Sequence, residues 1–222
     1  MAMRRLIFPV LLGLCGCAIL VWLGLWQVQR LAWKTGILQE IETRIAAAPV
    51  GLPARPAPEA DRYLPVVLDG RIAGEGLRVL VSTEDLGPGY RRILPFETEG
   101  RRILLDGGWG PLGGVALPDG PLDVTGNLHW PDEIDRWTPA PEDDLWFARD
   151  VGAMAAALQT EPVLVIARTL SDPGGLTPLP VGTAGIPNDH LEYAITWFLL
   201  ALVWAAMSVY LGWRTLRRKD AR

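Results

Sequence analysis

Of the two histidines in this 222-residue chain, His129 and His190, only His190 stands where its chemistry is easy to name. It falls in Asn188-Asp189-His190-Leu191-Glu192-Tyr193, at the head of a long apolar run. An imidazole at such a boundary can offer its free ring nitrogen to iron or zinc. Tyr193 and Trp197 follow three and seven residues later, so a helix here predicts one stripe with a ligand and two aromatic walls. That surround suits a flat, largely apolar cofactor. The competing reading is an interfacial belt, because His, Tyr and Trp favour that depth whatever they bind. At the other end, Gly24-Leu25-Trp26-Gln27 and Arg30 close a first apolar run. Gln27 and Arg30 are three apart and predict a shared helical face. An arginine there either pairs with a cofactor carboxylate or reaches out to water.

Little else in the chain points to chemistry. His129, in Leu128-His129-Trp130-Pro131, reads as a surface or turn histidine at a strand end. No G-x-S-x-G or H-E-x-x-H occurs, and there are three serines in all. Glu142, Asp143 and Asp144 are explained as acids at a helix start. Gly107-Gly108 and Gly113-Gly114 read as turn glycines, because no helix follows to make a phosphate cradle. Cys15 and Cys17 lie inside the first apolar run, so they read as small apolar residues and not as a metal or disulfide pair. Leu14-Cys15-Gly16-Cys17 loosely resembles a lipoprotein cleavage box, but the apolar run continues nine residues beyond Cys17. The expectation is a protein that is not an enzyme.

The elements that must position these residues begin with the two apolar runs. Leu6–Trp26 and Tyr193–Trp213 each hold 21 residues without a charge. At about 1.5 Å per helical residue, each spans roughly the 30 Å of a bilayer core. Backbone groups in lipid must be satisfied within the segment, so both are expected to be helices. Arg4 and Arg5 precede the first run. Arg214, Arg217, Arg218, Lys219 and Arg222 follow the second, with one acid, Asp220. With those seven basic residues and that acid set aside, 14 basic residues stand against 24 acidic ones between. Basic flanks stay cytoplasmic, so both termini are expected there and the acidic middle across the membrane. An acidic domain also argues against nucleic acid as a partner.

The expected organisation is a cytoplasmic N-terminus (1–5), a first transmembrane helix (6–26), a helical extension (27–48), a periplasmic β-rich domain (49–189), a second transmembrane helix (190–213) and a basic cytoplasmic tail (214–222). Leu31, Leu38, Ile41 and Ile45 give the extension one apolar stripe, and Pro49, Pro53, Pro56 and Pro58 end it in a stiff linker. Strands are predicted at Tyr63–Ile72, Leu77–Thr83, Tyr90–Thr98, Arg101–Trp109, Leu122–Trp130 and Pro162–Leu170. Glu99-Gly100 leaves a two-residue hairpin spacing. A helix is predicted over Asp143–Leu158, with its acids first. The fold class is membrane α+β: two transmembrane helices flank an antiparallel sheet or small barrel with one helix.

Three stretches resemble the SURF1 family, membrane proteins that assist assembly of haem-copper cytochrome oxidase. The first is Leu23-Gly24-Leu25-Trp26-Gln27-Val28-Gln29-Arg30. The second is Gly89-Tyr90, Pro95-Phe96 and Ile103-Leu104-Leu105-Asp106, then Gly108-Trp109 and Pro111. The third is Asn188-Asp189-His190-Leu191-Glu192-Tyr193 with Thr196-Trp197. One departure is Gly107, which stands where the family usually has arginine; Gly110 also replaces a valine. The resemblance implies transient binding of haem a and help with its insertion into the oxidase catalytic subunit. His190 is then the axial metal ligand, Arg30 and Gln27 hold propionates, and Trp26, Tyr193 and Trp197 line the ring. It also implies the haem a synthesis machinery and the lipid bilayer as partners. The bacterial inner membrane is the expected location, since no arginine-rich transit segment precedes Leu6. The alternatives are a scaffold for oxidase subunits without haem, or an envelope sensor or anchored binding module.

Overall fold

The computed structural model describes residues 2–217, with side-chain surroundings from residue 7 onward; the predicted tail beyond Arg217 lies outside the described residues. Among these, the chain forms α1 (Ala2–Ile45), α2 (Pro58–Asp61), β1 (Pro65–Ile72), β2 (Leu77–Thr83), β3 (Gly87–Thr98), β4 (Arg101–Pro111), β5 (Leu122–Leu128), β6 (Leu145–Trp146), α3 (Val151–Leu158), β7 (Leu164–Leu170) and α4 (His190–Arg217). Two units result, one of residues 1–40 with 184–222, the other Ile41–Thr183.

The second unit is built on a ring of strands. β1 pairs β5, β5 pairs β7, β7 pairs β4, β4 pairs β3, and β3 returns to β1 through Phe96–Thr98. The rest of β3's outer edge carries β2, which carries β6. The sheet therefore closes as a small barrel, as expected, but two of its pairings, β4–β7 and β2–β6, are parallel. Val66, Leu68, Phe96, Ile103, Leu105, Val124 and Val165 fill the inside of the ring. Leu104, Ile93, Leu164 and Ile166 face outward and are covered by Trp146 and by Val151, Met154 and Ala155 around α3. Burial on both faces explains the unbroken apolar run Ile103-Leu104-Leu105. The β3–β4 hairpin turns at Glu99 (φ 49°) and Gly100 (φ 74°), two positive φ values in succession, which match the twist of the strands it joins.

The predicted helix over Asp143–Leu158 is corrected: only Val151–Leu158 is helical. Leu145 and Trp146 instead pair with Arg78 and Val79 of β2. Trp146 gains burial in the outer core, and Asp144 receives Arg78 in two hydrogen bonds of 2.6 and 2.7 Å. Asp150 becomes the N-cap, its carboxylate accepting from the Ala153 N–H at 3.0 Å. The last turn of α1 is anchored within the same unit. The Ile45 carbonyl accepts from Asn127 at 3.2 Å and from Arg168, and Arg168 also donates to Asn127 Oδ1 at 2.9 Å.

In the first unit, α1 and α4 are long and apolar enough to cross a bilayer. They pair antiparallel, because partners rise along α1 as they fall along α4: Gly13 with Ser208, Gly16 with Trp204, Gly24 with Phe198, Gln27 with His190. The glycines make this approach possible. A Cβ at Gly16 would sit 2.2 Å from Trp204 Nε1, and one at Gly24 would sit 2.7 Å from the Phe198 ring. The less exposed positions of α1 form one stripe: Pro9, Gly13, Gly16 with Cys17, Leu20, Leu23 with Gly24, Gln27, Leu31 and Lys34. Those of α4 do the same at His190, Ala194, Trp197 and Ala201. Steps of three and four keep one stripe of each helix against the other.

Candidate functional site

Gln27 is the buried polar residue of the α1 seam, only 8 % exposed. Its Oε1 lies 2.8 Å from Nδ1 of His190, the first residue of α4. An amide oxygen carries no hydrogen, so Nδ1 donates and the lone pair stays on Nε2. The pair thus presents an oriented imidazole whose other nitrogen, Nε2, is the one available to a metal. Two turns further along α1, Lys34 Nζ donates to the Pro187 carbonyl, tying down the segment that enters α4. The Asn188 side-chain oxygen is buried there without a hydrogen-bond partner.

The structure separates the other sequence candidates. Arg30 is exposed and its guanidinium stacks 3.9 Å over the Trp33 ring, so Gln27 and Arg30 do not act on one face as expected: Gln27 enters the seam and Arg30 leaves it. The predicted stripe of His190, Tyr193 and Trp197 also divides. Trp197, seven residues on, is half-buried on the seam with Ala194; Tyr193, three residues on, is 56 % exposed. Trp26 is 47 % exposed beside Gln27. The seam runs from Gln27 to Leu31 in α1 and from His190 to Ala194 in α4, which leaves Arg30 and Tyr193 off it. Among the described residues no group of three His, Cys, Asp or Glu is placed to hold a bare metal ion. A single imidazole suits a macrocycle that brings its own in-plane ligands.

The β unit contains a second polar centre that sequence reasoning missed. Asp106 is fully buried, with Arg91 Nε at 3.0 Å and Arg149 Nη1 at 3.2 Å, and it accepts from the Gly108 N–H at 3.1 Å. The Arg91 contact is an ion pair without hydrogen-bond alignment; that side chain instead donates to the Leu179 carbonyl at 2.5 Å. Arg149 continues to Glu133. Burial pushes the Arg91 pKa down, opposed by Asp106. Two arginines and two acids compensate one another, so the cluster clamps β3, β4 and the 131–150 segment together and leaves no charge for a ligand. Gly108 is required at its place: its φ is +100°, and a Cβ would lie 2.1 Å from the Thr177 carbonyl oxygen. At Gly107, where arginine is usual in the family, a Cβ would lie 2.9 Å from Leu176 Cδ1, so Leu176 occupies that space.

His129 is not the surface histidine expected. It stacks on Tyr63 with centroids 5.2 Å apart, and its Nδ1 is buried without a hydrogen-bond partner. Burial first, then the positive charges of Arg149 and Arg62, push its pKa down to about 4. It is therefore neutral at ordinary pH.

Comparison with known proteins places this geometry in context. The family model described as the SURF1 family matches residues 14–202, which include both members of the Gln27–His190 pair and the whole β unit. The chain is similar to human Surfeit locus protein 1, with 31 % identity over 81 % of this chain and 69 % of that protein. It is also similar to the rat Surfeit locus protein 1, at 31 % over 89 % of this chain and 72 % of that protein. A SURF1-like protein of Drosophila melanogaster matches at 28 % over 81 % and 69 %.

Proposed function

The chain belongs to the SURF1 family, and from that premise we propose that it is a membrane-anchored assembly factor for cytochrome c oxidase that holds haem a transiently at His190 and passes it to the oxidase catalytic subunit. The observation that carries this reading is the Gln27–His190 hydrogen bond of 2.8 Å, which leaves one imidazole nitrogen free at the end of an apolar helix pair. Haem a supplies its own four ring nitrogens, so one axial imidazole is the donor this chain must add. Trp26 and Tyr193, both exposed beside the pair in sequence, are suited to cover an apolar ring, and Arg30 to meet a propionate. A single imidazole ligand with an exposed flank favours release over retention. The role is carriage; no bond of the macrocycle is made or broken. The basic residues Arg214 and Arg217 at the end of α4 support a cytoplasmic end there, with the β unit across the inner membrane.

Purified full-length protein, co-expressed with haem a synthesis, is expected to show a Soret band that His190→Ala weakens. No band in the wild type overturns the carrying role. A scaffold without haem is the second reading. It is favoured by Trp137 and Ile134, 75 % and 51 % exposed on the acidic segment between β5 and β6, where a partner subunit would cover them. In that case oxidase assembly fails in Trp137→Ser while the haem band is unchanged.

A further inference from the structure

We propose that Gln27 is a positioning residue whose neutral amide sets the tautomer of His190 and keeps its imidazole an exchangeable ligand. This inference rests on the haem-carrying reading and names how that site would be regulated. Every neighbouring seam position of α1, from Gly13 through Leu20 and Gly24 to Leu31, is small or apolar. A buried amide among them requires a partner, and the partner found is Nδ1 of His190 at 2.8 Å.

The amide has two orientations with opposite consequences. With Oε1 toward the ring, the hydrogen sits on Nδ1 and Nε2 is ready for iron. With the NH₂ group toward the ring, Nδ1 must accept, the hydrogen moves to Nε2, and the ligand is blocked. Neither state creates a charge, so both are tolerated in an apolar helix pair. A carboxylate in the same place accepts only: it would hold the ready state and raise the basicity of the imidazole. Glutamine therefore builds a neutral two-state element. Iron selects one state, and the other is open once iron leaves. This property serves a carrier that must let go, and a storage site has no use for it. Nothing else among the described residues is placed to fix the His190 tautomer: Arg30 is turned onto Trp33, and Lys34 is engaged by the Pro187 carbonyl.

The test uses the full chain in lipid nanodiscs with ¹⁵N-labelled histidine and no haem. Wild type is expected to show His190 mainly as the Nδ1–H tautomer, with Nε2 of the pyridine type, and Gln27→Leu to move population to Nε2–H. Haem a is then added and its transfer to apomyoglobin followed. Gln27→Leu is expected to lower haem affinity by about 10–100-fold, the usual effect of losing such a partner. Gln27→Glu is expected to match or exceed wild-type affinity while releasing haem more slowly. A wild-type Nε2–H tautomer, or Gln27→Glu binding as weakly as Gln27→Leu, overturns the proposal even if Gln27→Leu merely misfolds. If wild type takes up no haem a at all, the carrying role fails, while the ¹⁵N spectrum still decides whether Gln27 sets the tautomer.

Discussion

Acid destabilises the β unit through one ring, His129. Its pKa falls from 6.5 in a free side chain to about 4 in the fold, chiefly because the ring is buried. A folded pKa below the unfolded one means that the unfolded chain takes up the proton first. The stability is fully present above pH 6.5 and is lost as pH falls from there toward 4. Between pH 8 and pH 5 the unfolded state gains roughly 1.5 pH units of proton binding, about 2 kcal/mol. Partial exposure of the ring reduces this to about 1–1.5 kcal/mol, a fall in Tm of about 3–6 °C for a unit of this size. Glu133 and Asp144, whose carboxyls arginines hold below their ordinary range, act in the same direction only in stronger acid, so the window above pH 5 isolates the histidine. The assay is thermal unfolding of the full chain in detergent, followed by near-ultraviolet circular dichroism, for wild type and His129→Phe. Phenylalanine keeps an aromatic face against Tyr63 and cannot titrate, so its Tm should stay level from pH 8 to 5. An equal slope in both proteins, or none in wild type, refutes the reasoning.

Two further substitutions read the packing directly. Asp106→Asn leaves Arg91 and Arg149, whose side chains are 14 % and 11 % exposed, without their shared anion. It should cost about 3–5 kcal/mol, seen as a lower denaturant midpoint at unchanged slope; a loss below about 1 kcal/mol contradicts the clamp. Gly16→Leu drives a side chain into Trp204 and should push α1 and α4 apart at a cost of about 1–3 kcal/mol. Spin labels at the exposed positions Leu14 and Val209 should report a longer distance, and an unchanged distance argues against the close pairing.

The departure at Gly107 follows from its neighbours. Leu176 fills the space into which a side chain there would point, and Arg91 and Arg149 already supply the positive charge around Asp106.

Much of the architecture was legible because local rules decide it. Uncharged runs of 21 residues announce two helices long enough to span a bilayer, and alternating β-branched stretches with a two-residue Glu99-Gly100 turn announce a hairpin. His190 and Gln27 were both named from sequence, through motifs at matching ends of the two helices. What sequence could not supply was the link between them, since a contact across 163 residues depends on which helix faces meet. The signal was present as alternating steps of three and four along α1, but spacing alone does not say which step comes where, and it drew in Arg30 and Tyr193, which the fold turns outward. Asp143–Leu158 misled for a related reason. Alanine and leading acids favour helix locally, yet the open edge of β2 and the outer core claim Leu145 and Trp146. The buried Asp106 cluster and the low pKa of His129 were invisible because desolvation depends on what packs around a group. Residue types and spacing along the chain therefore determined which elements form, while the meeting of distant surfaces decided which side chains act together.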